Sequence, residues 1–140
     1  MQRNKDAPEA AGNLPIRYGL RLVTITSSVT GILLAIAAVA GLLFGARGLY
    51  QPDPATLPTF LGQDAITLIA VLPLLLWSVL AASRGSVRGL LLWAASLFYV
   101  AYSYAYDALN PEFNVLYLAY IAIVAMSLYG CLYLLLAVDA

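Results

Sequence analysis

The sequence predicts an all-α, polytopic membrane protein: a four-transmembrane-helix up-down bundle with a Pro-rich first outer loop. Three observations predict it. Apolar residues make up 63% of the chain and charged residues 10%, against roughly 45–50% and about 25% in soluble domains. Apolar stretches at about residues 22–44, 63–82, 89–106 and 115–138 carry no charge apart from Asp64. Each is long enough to cross a hydrocarbon core of about 30 Å, and each is apolar nearly all round rather than along one stripe. The third observation is the distribution of Lys and Arg. Arg3, Lys5, Arg17 and Arg21 precede the first stretch, Arg84 and Arg88 separate the second from the third, and only Arg47 falls in the other loops. Short basic loops stay cytoplasmic, so both termini are expected to face the cytoplasm.

Residues 1–21 read as a disordered cytoplasmic tail and juxtamembrane anchor. Arg3, Lys5, Asp6, Pro8, Glu9 and Pro15 leave too little apolar surface to order the tail. Residues 22–140 read as a single four-helix membrane domain. In its first span, Gly41-x-x-x-Gly45 is extended backwards by Ala37, while Ser27, Gly31 and Ala35 share another face. Small residues on two faces let a helix pack between two neighbours, with a homodimer contact as the alternative. Thr24, Thr26, Ser27, Ser28 and Thr30 can bond back to their own helix carbonyls. A cleaved signal peptide competes for this segment, because Ala38-Val39-Ala40 resembles a cleavage site. The apolar run continues through Phe44, however, which is long for a signal core.

Pro52, Pro54 and Pro58 are expected to keep residues 45–62 a loop, with one short turn at Asp53-Pro54. Gly62-Gln63-Asp64 then reads as a helix start, the carboxylate complementing the helix dipole. Pro73 lacks the N–H that would bond the Ile69 carbonyl, so a kink is expected there. Ser83 to Arg88 forms a basic turn. Trp77 and Trp93 flank it as interface anchors. Asp107 to Asn114 forms the next turn, with Pro111 enforcing the break.

Composition also excludes chemistry. There is no histidine, and Cys131 is the single cysteine. An internal disulfide, a CxxC pair, His-ligated haem and the usual zinc sites are therefore out of reach. Cys131 reads as buried and inert. Net charge is zero, so nothing attracts nucleic acid. No cofactor or metal is expected. Without a nucleophile motif or metal cluster the chain reads as non-enzymatic.

One polar region stands out. Of ten tyrosines, Tyr99, Tyr102 and Tyr106 share one face of the third span, and Tyr117 and Tyr120 open the fourth. Arg47, Gln63, Asp64, Asp107 and Asn114 lie at the same outer depth. Two readings compete: an aromatic belt with wet hydroxyls, or an apolar-walled ligand pocket with convergent hydroxyls. Under the second, Tyr99, Tyr102 and Tyr106 point inward, and Gln63, Asp64 and Asn114 are their polar partners. Tyr104 sits on a different face. Arg47 is expected to pair with Asp64 or Asp107, since charges at membrane depth seldom stay alone.

Gly62-Gln63-Asp64, Pro73-Leu74-Leu75, Arg84-Gly85-Ser86, Leu92-Trp93, Tyr102-x-Tyr104 and Phe113-Asn114-x-Leu116-x-Leu118-x-Tyr120 follow one another in an order that resembles an uncharacterised family of small bacterial four-span integral membrane proteins. The resemblance implies a bacterial cytoplasmic (inner) membrane and four helices, and carries over no site residue. The expected function is to bind a partner protein or an apolar, lipid-like ligand near the outer face. Membrane lipids are the expected surroundings, with a homodimer or larger complex as a further arrangement. The alternative is an accessory subunit of a transporter or channel.

Overall fold

The computed structural model describes residues 19–47, 49, 55–109 and 115–137. Among these, every regular element is helical. Helix α1 spans Leu20–Phe44 and ends in a 3-10 turn, Gly45–Arg47. Helix α2 spans Leu57–Ser83, α3 Val87–Leu109 and α4 Tyr117–Ala137. By length and composition, α1, α2 and α4 can each cross a membrane. Helix α3 is as long but less apolar, because Trp93, Ser96, Tyr99, Tyr102, Ser103, Tyr104 and Tyr106 dilute its Leu, Val and Ala.

Two boundaries differ from the sequence expectation. Helix α2 begins six residues early, because Pro58 occupies its first turn. A first-turn N–H has no helical partner in any case, so proline is accommodated there. Residues 57–62 are thus helix rather than loop; Pro52 and Pro54 lie outside the described residues. Asp64 is consequently two turns inside α2 and does not cap its start. Helix α3 runs on through Leu109, which puts Asp107 in its last turns rather than in a connecting turn.

Pro73 is absorbed by a change of helical pitch. Thr67–Val71 form one π-turn, and the Leu72 N–H bonds the Thr67 carbonyl five residues back. A regular α-helix would press the proline ring against the Ile69 carbonyl and strip it of its donor. Widening the preceding turn relieves that conflict and leaves the helix continuous.

The α2–α3 connection is three residues long, and local chemistry closes both helix ends. Gly85 adopts φ 85°, and its N–H and that of Ser86 bond the Ala82 and Ala81 carbonyls. This is a Schellman ending. The Ser86 hydroxyl then accepts the Gly89 N–H at 3.1 Å and caps α3. Gly89 lets the two helices touch: a Cβ there would lie 2.6 Å from the Ala82 backbone nitrogen.

Each helix packs against the next in sequence, and α1 also packs against α4. Contacts run antiparallel. Gln63 near the start of α2 meets Asp107 near the end of α3, and Tyr104 late in α3 meets Tyr120 early in α4. The core is built from Val23, Leu34, Leu75, Leu97, Val100, Ile123 and Leu134, with Trp93 at its middle. Trp93 is therefore no interface anchor. It is 0% exposed, and its indole N–H donates to Ser27 Oγ at 2.9 Å. It stands on the same face of α3 as the buried Leu97, Val100 and Tyr104, which is turned into the bundle. Trp77 is exposed.

Both small-residue faces of α1 are occupied within the molecule. Ser27, Gly31, Ala37, Ala38 and Gly41 are buried, and a Cβ on Gly31 would lie 3.6 Å from the Leu72 side chain of α2. Thr24, Thr26, Ser28 and Thr30 bond back to carbonyls of their own helix; Ser27 serves Trp93 instead. Cys131 is buried and free. The outer surface is lined by large apolar side chains from all four helices, among them Ile32, Ile69, Phe98 and Leu132. Water would not tolerate so extensive an apolar surface, whereas lipid tails do.

Candidate functional site

At the end where α2 begins, α3 finishes and α4 starts, polar side chains turn inward. Gln63, Asp64 and Thr67 come from α2, at spacings of three and four residues that place them on adjoining parts of one face. Tyr104 and Asp107 come from α3, three residues apart, and Tyr120 comes from α4. Asp64 is 4% exposed and Tyr104 2%. Thr67 and Tyr120 are buried too.

The geometry ties part of this cluster together. Gln63 Nε2 donates to Asp107 Oδ2 at 2.9 Å and bridges α2 to α3. The Thr67 hydroxyl donates to the Gln63 main-chain carbonyl at 2.8 Å. Tyr104 and Tyr120 pack ring against ring, centroids 5.9 Å apart and planes tilted by 52°. Thr67, Asp64, Asp107 and Tyr120 surround the Tyr104 phenol closely enough to influence it. Thr67 stands beside the phenol as its hydrogen-bonding neighbour, whereas Asp107 Oδ1 is buried with no hydrogen-bond partner among the described residues. Buried polar atoms left so cost about 1–3 kcal/mol each, and such groups in a folded protein call for an explanation.

The structure brings together Gln63, Asp64, Asp107 and Tyr120 from the residues expected to form the site. It does not bring in Tyr99 and Tyr102. Both are exposed, Tyr102 at 74%, because the stripe Trp93, Leu97, Val100, Tyr104 and Asp107 is the one turned inward. Tyr106 is also exposed; its ring leans on Phe60 with centroids 6.2 Å apart. Tyr117 is half-buried at the head of α4. Arg47 is exposed. Asn114 lies outside the described residues.

Tyr104 and Thr67 were missed by the sequence reading. The signal for Tyr104 was the spacing 93, 97, 100, 104 and 107, an alternation of four and three that marks a packed helix face. Thr67 had the weaker signal of following Gln63 by one turn.

A cleft of about 230 Å³ lies on the same α2–α3 seam, one turn and more deeper than Thr67. Val71, Leu74, Leu92, Ala95, Ser96 and Tyr99 line it. Its α2 wall begins where the π-turn ends. Comparison with family models, curated proteins and solved structures gives no match.

Proposed function

We propose that this is a small, non-enzymatic integral membrane protein that binds a lipid-like ligand through the cluster around Tyr104 and Asp107. All four helices cross the bilayer as an up-down bundle, α3 included, with both termini cytoplasmic and the cluster at the outer face. The distribution of Lys and Arg supports that orientation. The apolar exterior of α3, with Leu91, Phe98 and Tyr102 exposed, supports its crossing. The bacterial inner-membrane location rests on the family resemblance.

The observation that carries the reading is the inward-turned polar cluster at this end of the helices, in which Asp107 Oδ1 is buried without a hydrogen-bond partner among the described residues. A ligand's polar head would supply Asp107 Oδ1 with its missing partner, and its apolar remainder would lie against lipid. Purification in mild detergent, followed by mass spectrometry of extracted small molecules, tests this. An amphiphile retained in stoichiometric amount by the wild type and depleted in Tyr104→Phe and Asp107→Asn is expected. Identical extracts from all three proteins would remove the basis for the proposal.

A further inference from the structure

We infer that an anionic glycerophospholipid docks at the other end of the α2–α3 hairpin, its phosphate at Arg84 and Arg88 and one acyl chain in the α2–α3 cleft. The inference rests on α2 and α3 crossing the bilayer, and not on a ligand at the cluster around Tyr104 and Asp107.

Charge argues for the head group. Arg84 and Arg88 are both exposed and bracket the α2–α3 connection. That connection is pinned by the Arg84, Gly85 and Ser86 N–H groups, which bond the Ala81 and Ala82 carbonyls, and by the Ser86 cap on Gly89. The two cations therefore stand on a backbone that is already ordered, which lowers the cost of binding. The described carboxylates, Asp64 and Asp107, lie towards the far ends of the same two helices. Among the described residues no acidic side chain at this end competes for the arginines. A phosphate is the complementary group, because the guanidinium fork pairs it with two parallel hydrogen bonds.

The cleft argues for the chain. On α3, Leu92, Ala95 and Tyr99 line it, and they follow Arg88 by four, seven and eleven residues, along one helical face. The cleft thus opens about 6 Å along the helix axis from Arg88 and ends about 16 Å from it. Half of a hydrocarbon core of about 30 Å is about 15 Å, so the groove runs the depth of one leaflet, as an acyl chain does. Its α2 wall, Val71 and Leu74, lies in the half of α2 nearer Arg84.

Small side chains make the hollow. Ala95 is exposed, and Ser96 donates its hydroxyl back to the Leu92 carbonyl at 2.7 Å, so its polar atom is already served. Leu74, Leu92 and Tyr99 are partly exposed, which opens the groove towards lipid. Trp77 is exposed as well, one turn beyond Leu74 in the direction of Arg84, where its amphipathic ring suits the boundary between head and chain. The Arg88 stem can follow the apolar surface while its charge stays among the headgroups. Basic pockets between membrane helices hold anionic headgroups in this way.

Phosphatidylglycerol and phosphatidylcholine with identical brominated acyl chains separate the head groups. They are titrated into the purified protein in mild detergent, and tryptophan fluorescence is read. Bromine quenches an indole that it touches, and Trp77 is the reporter because Trp93 is buried in the core. Phosphatidylglycerol is expected to quench at a concentration lower by more than about tenfold, the scale of two basic residues at an anionic surface. Arg84→Gln and Arg88→Gln are each expected to cut that preference about fivefold. Arg47→Gln, at the opposite end, is the unchanged control. Ala95→Leu fills the cleft from an exposed position and is expected to weaken quenching by both lipids. Equal quenching by the two lipids overturns the anionic head. A preference that neither arginine variant reduces overturns its location, and wild-type quenching in Ala95→Leu overturns the seating of the chain. A change of oligomeric state in Ala95→Leu, read by light scattering, assigns the cleft to a second copy and overturns the lipid.

Discussion

Trp93 and Ser27 meet across the interior: the indole Nε1–H donates to Ser27 Oγ at 2.9 Å, with both side chains buried. The bond joins α3 to α1, helices that are not neighbours in sequence. It fixes the rotation of both, because a buried indole N–H must find an acceptor. Ser27→Ala removes that acceptor and is expected to destabilise by about 1–3 kcal/mol. Ser28→Ala, on the exposed side of α1, is expected to change stability by less than about 0.5 kcal/mol. Thermal melts in detergent measure both. Adding Trp93→Phe to Ser27→Ala should cost less than Trp93→Phe alone, since the orphaned donor is gone. Strictly additive losses would deny the coupling.

Two glycines should respond in opposite directions to the same change. A Cβ on Gly89 would lie 2.6 Å from the Ala82 nitrogen and 2.7 Å from Ala81 Cβ. Gly89→Ala must therefore separate α2 from α3 and lower the melting temperature. At Gly62 a Cβ meets nothing within 4 Å. Alanine is the better helix former by up to about 1 kcal/mol, so Gly62→Ala should leave stability unchanged or raise it.

Much of this architecture is legible in the sequence because membrane helices are long, uniform signals. The four helical segments, the small-residue faces of α1 and the burial of Cys131 follow from apolar runs and residue size alone. Boundaries were less legible where proline carries two meanings. Pro58 suits a first helical turn as well as a loop, and only the length of helix around it decides. The candidate site was half legible. Gln63, Asp64, Asp107 and Tyr120 were named from depth, while the stripe Tyr99, Tyr102 and Tyr106 was left open between an aromatic belt and a pocket wall. Three tyrosines in a stripe looked like a polar wall. A tyrosine ring, however, is content against lipid when its hydroxyl is near the headgroups, and the mixed stripe ending in Tyr104 packs better. Trp93 misled for the related reason that tryptophan serves both as an anchor and as a core residue.

The inward face of α3 makes its own prediction for the ligand-free protein. Tyr104→Phe deletes a buried hydroxyl whose one side-chain neighbour in hydrogen-bonding position is Thr67, itself already bonded to the Gln63 carbonyl, so stability should hold within about 1 kcal/mol. Tyr102→Phe, on the exposed face, should be neutral. A larger loss of stability in Tyr104→Phe without ligand would mean that the phenol is held by more than Thr67.

Arg47 is predicted to matter little for stability. It is exposed, where a charge gains little from a fixed partner. Arg47→Ala should shift stability by less than about 0.5 kcal/mol, and its effect should add to that of Asp107→Asn in a double variant. A marked departure from additivity would reveal an ion pair between them.

The account turns on α3 crossing the bilayer and carrying Tyr104 and Asp107 to the outer face. Cysteine labelling tests this most directly, in a Cys131→Ser background. Leu109 and Ser83 are both exposed and lie at opposite ends of the α2–α3 hairpin. In intact spheroplasts a membrane-impermeant maleimide should label Leu109→Cys at once and Ser83→Cys only after lysis. Labelling of both from the outside, or of neither, would contradict a transmembrane α3 and with it the outward-facing site.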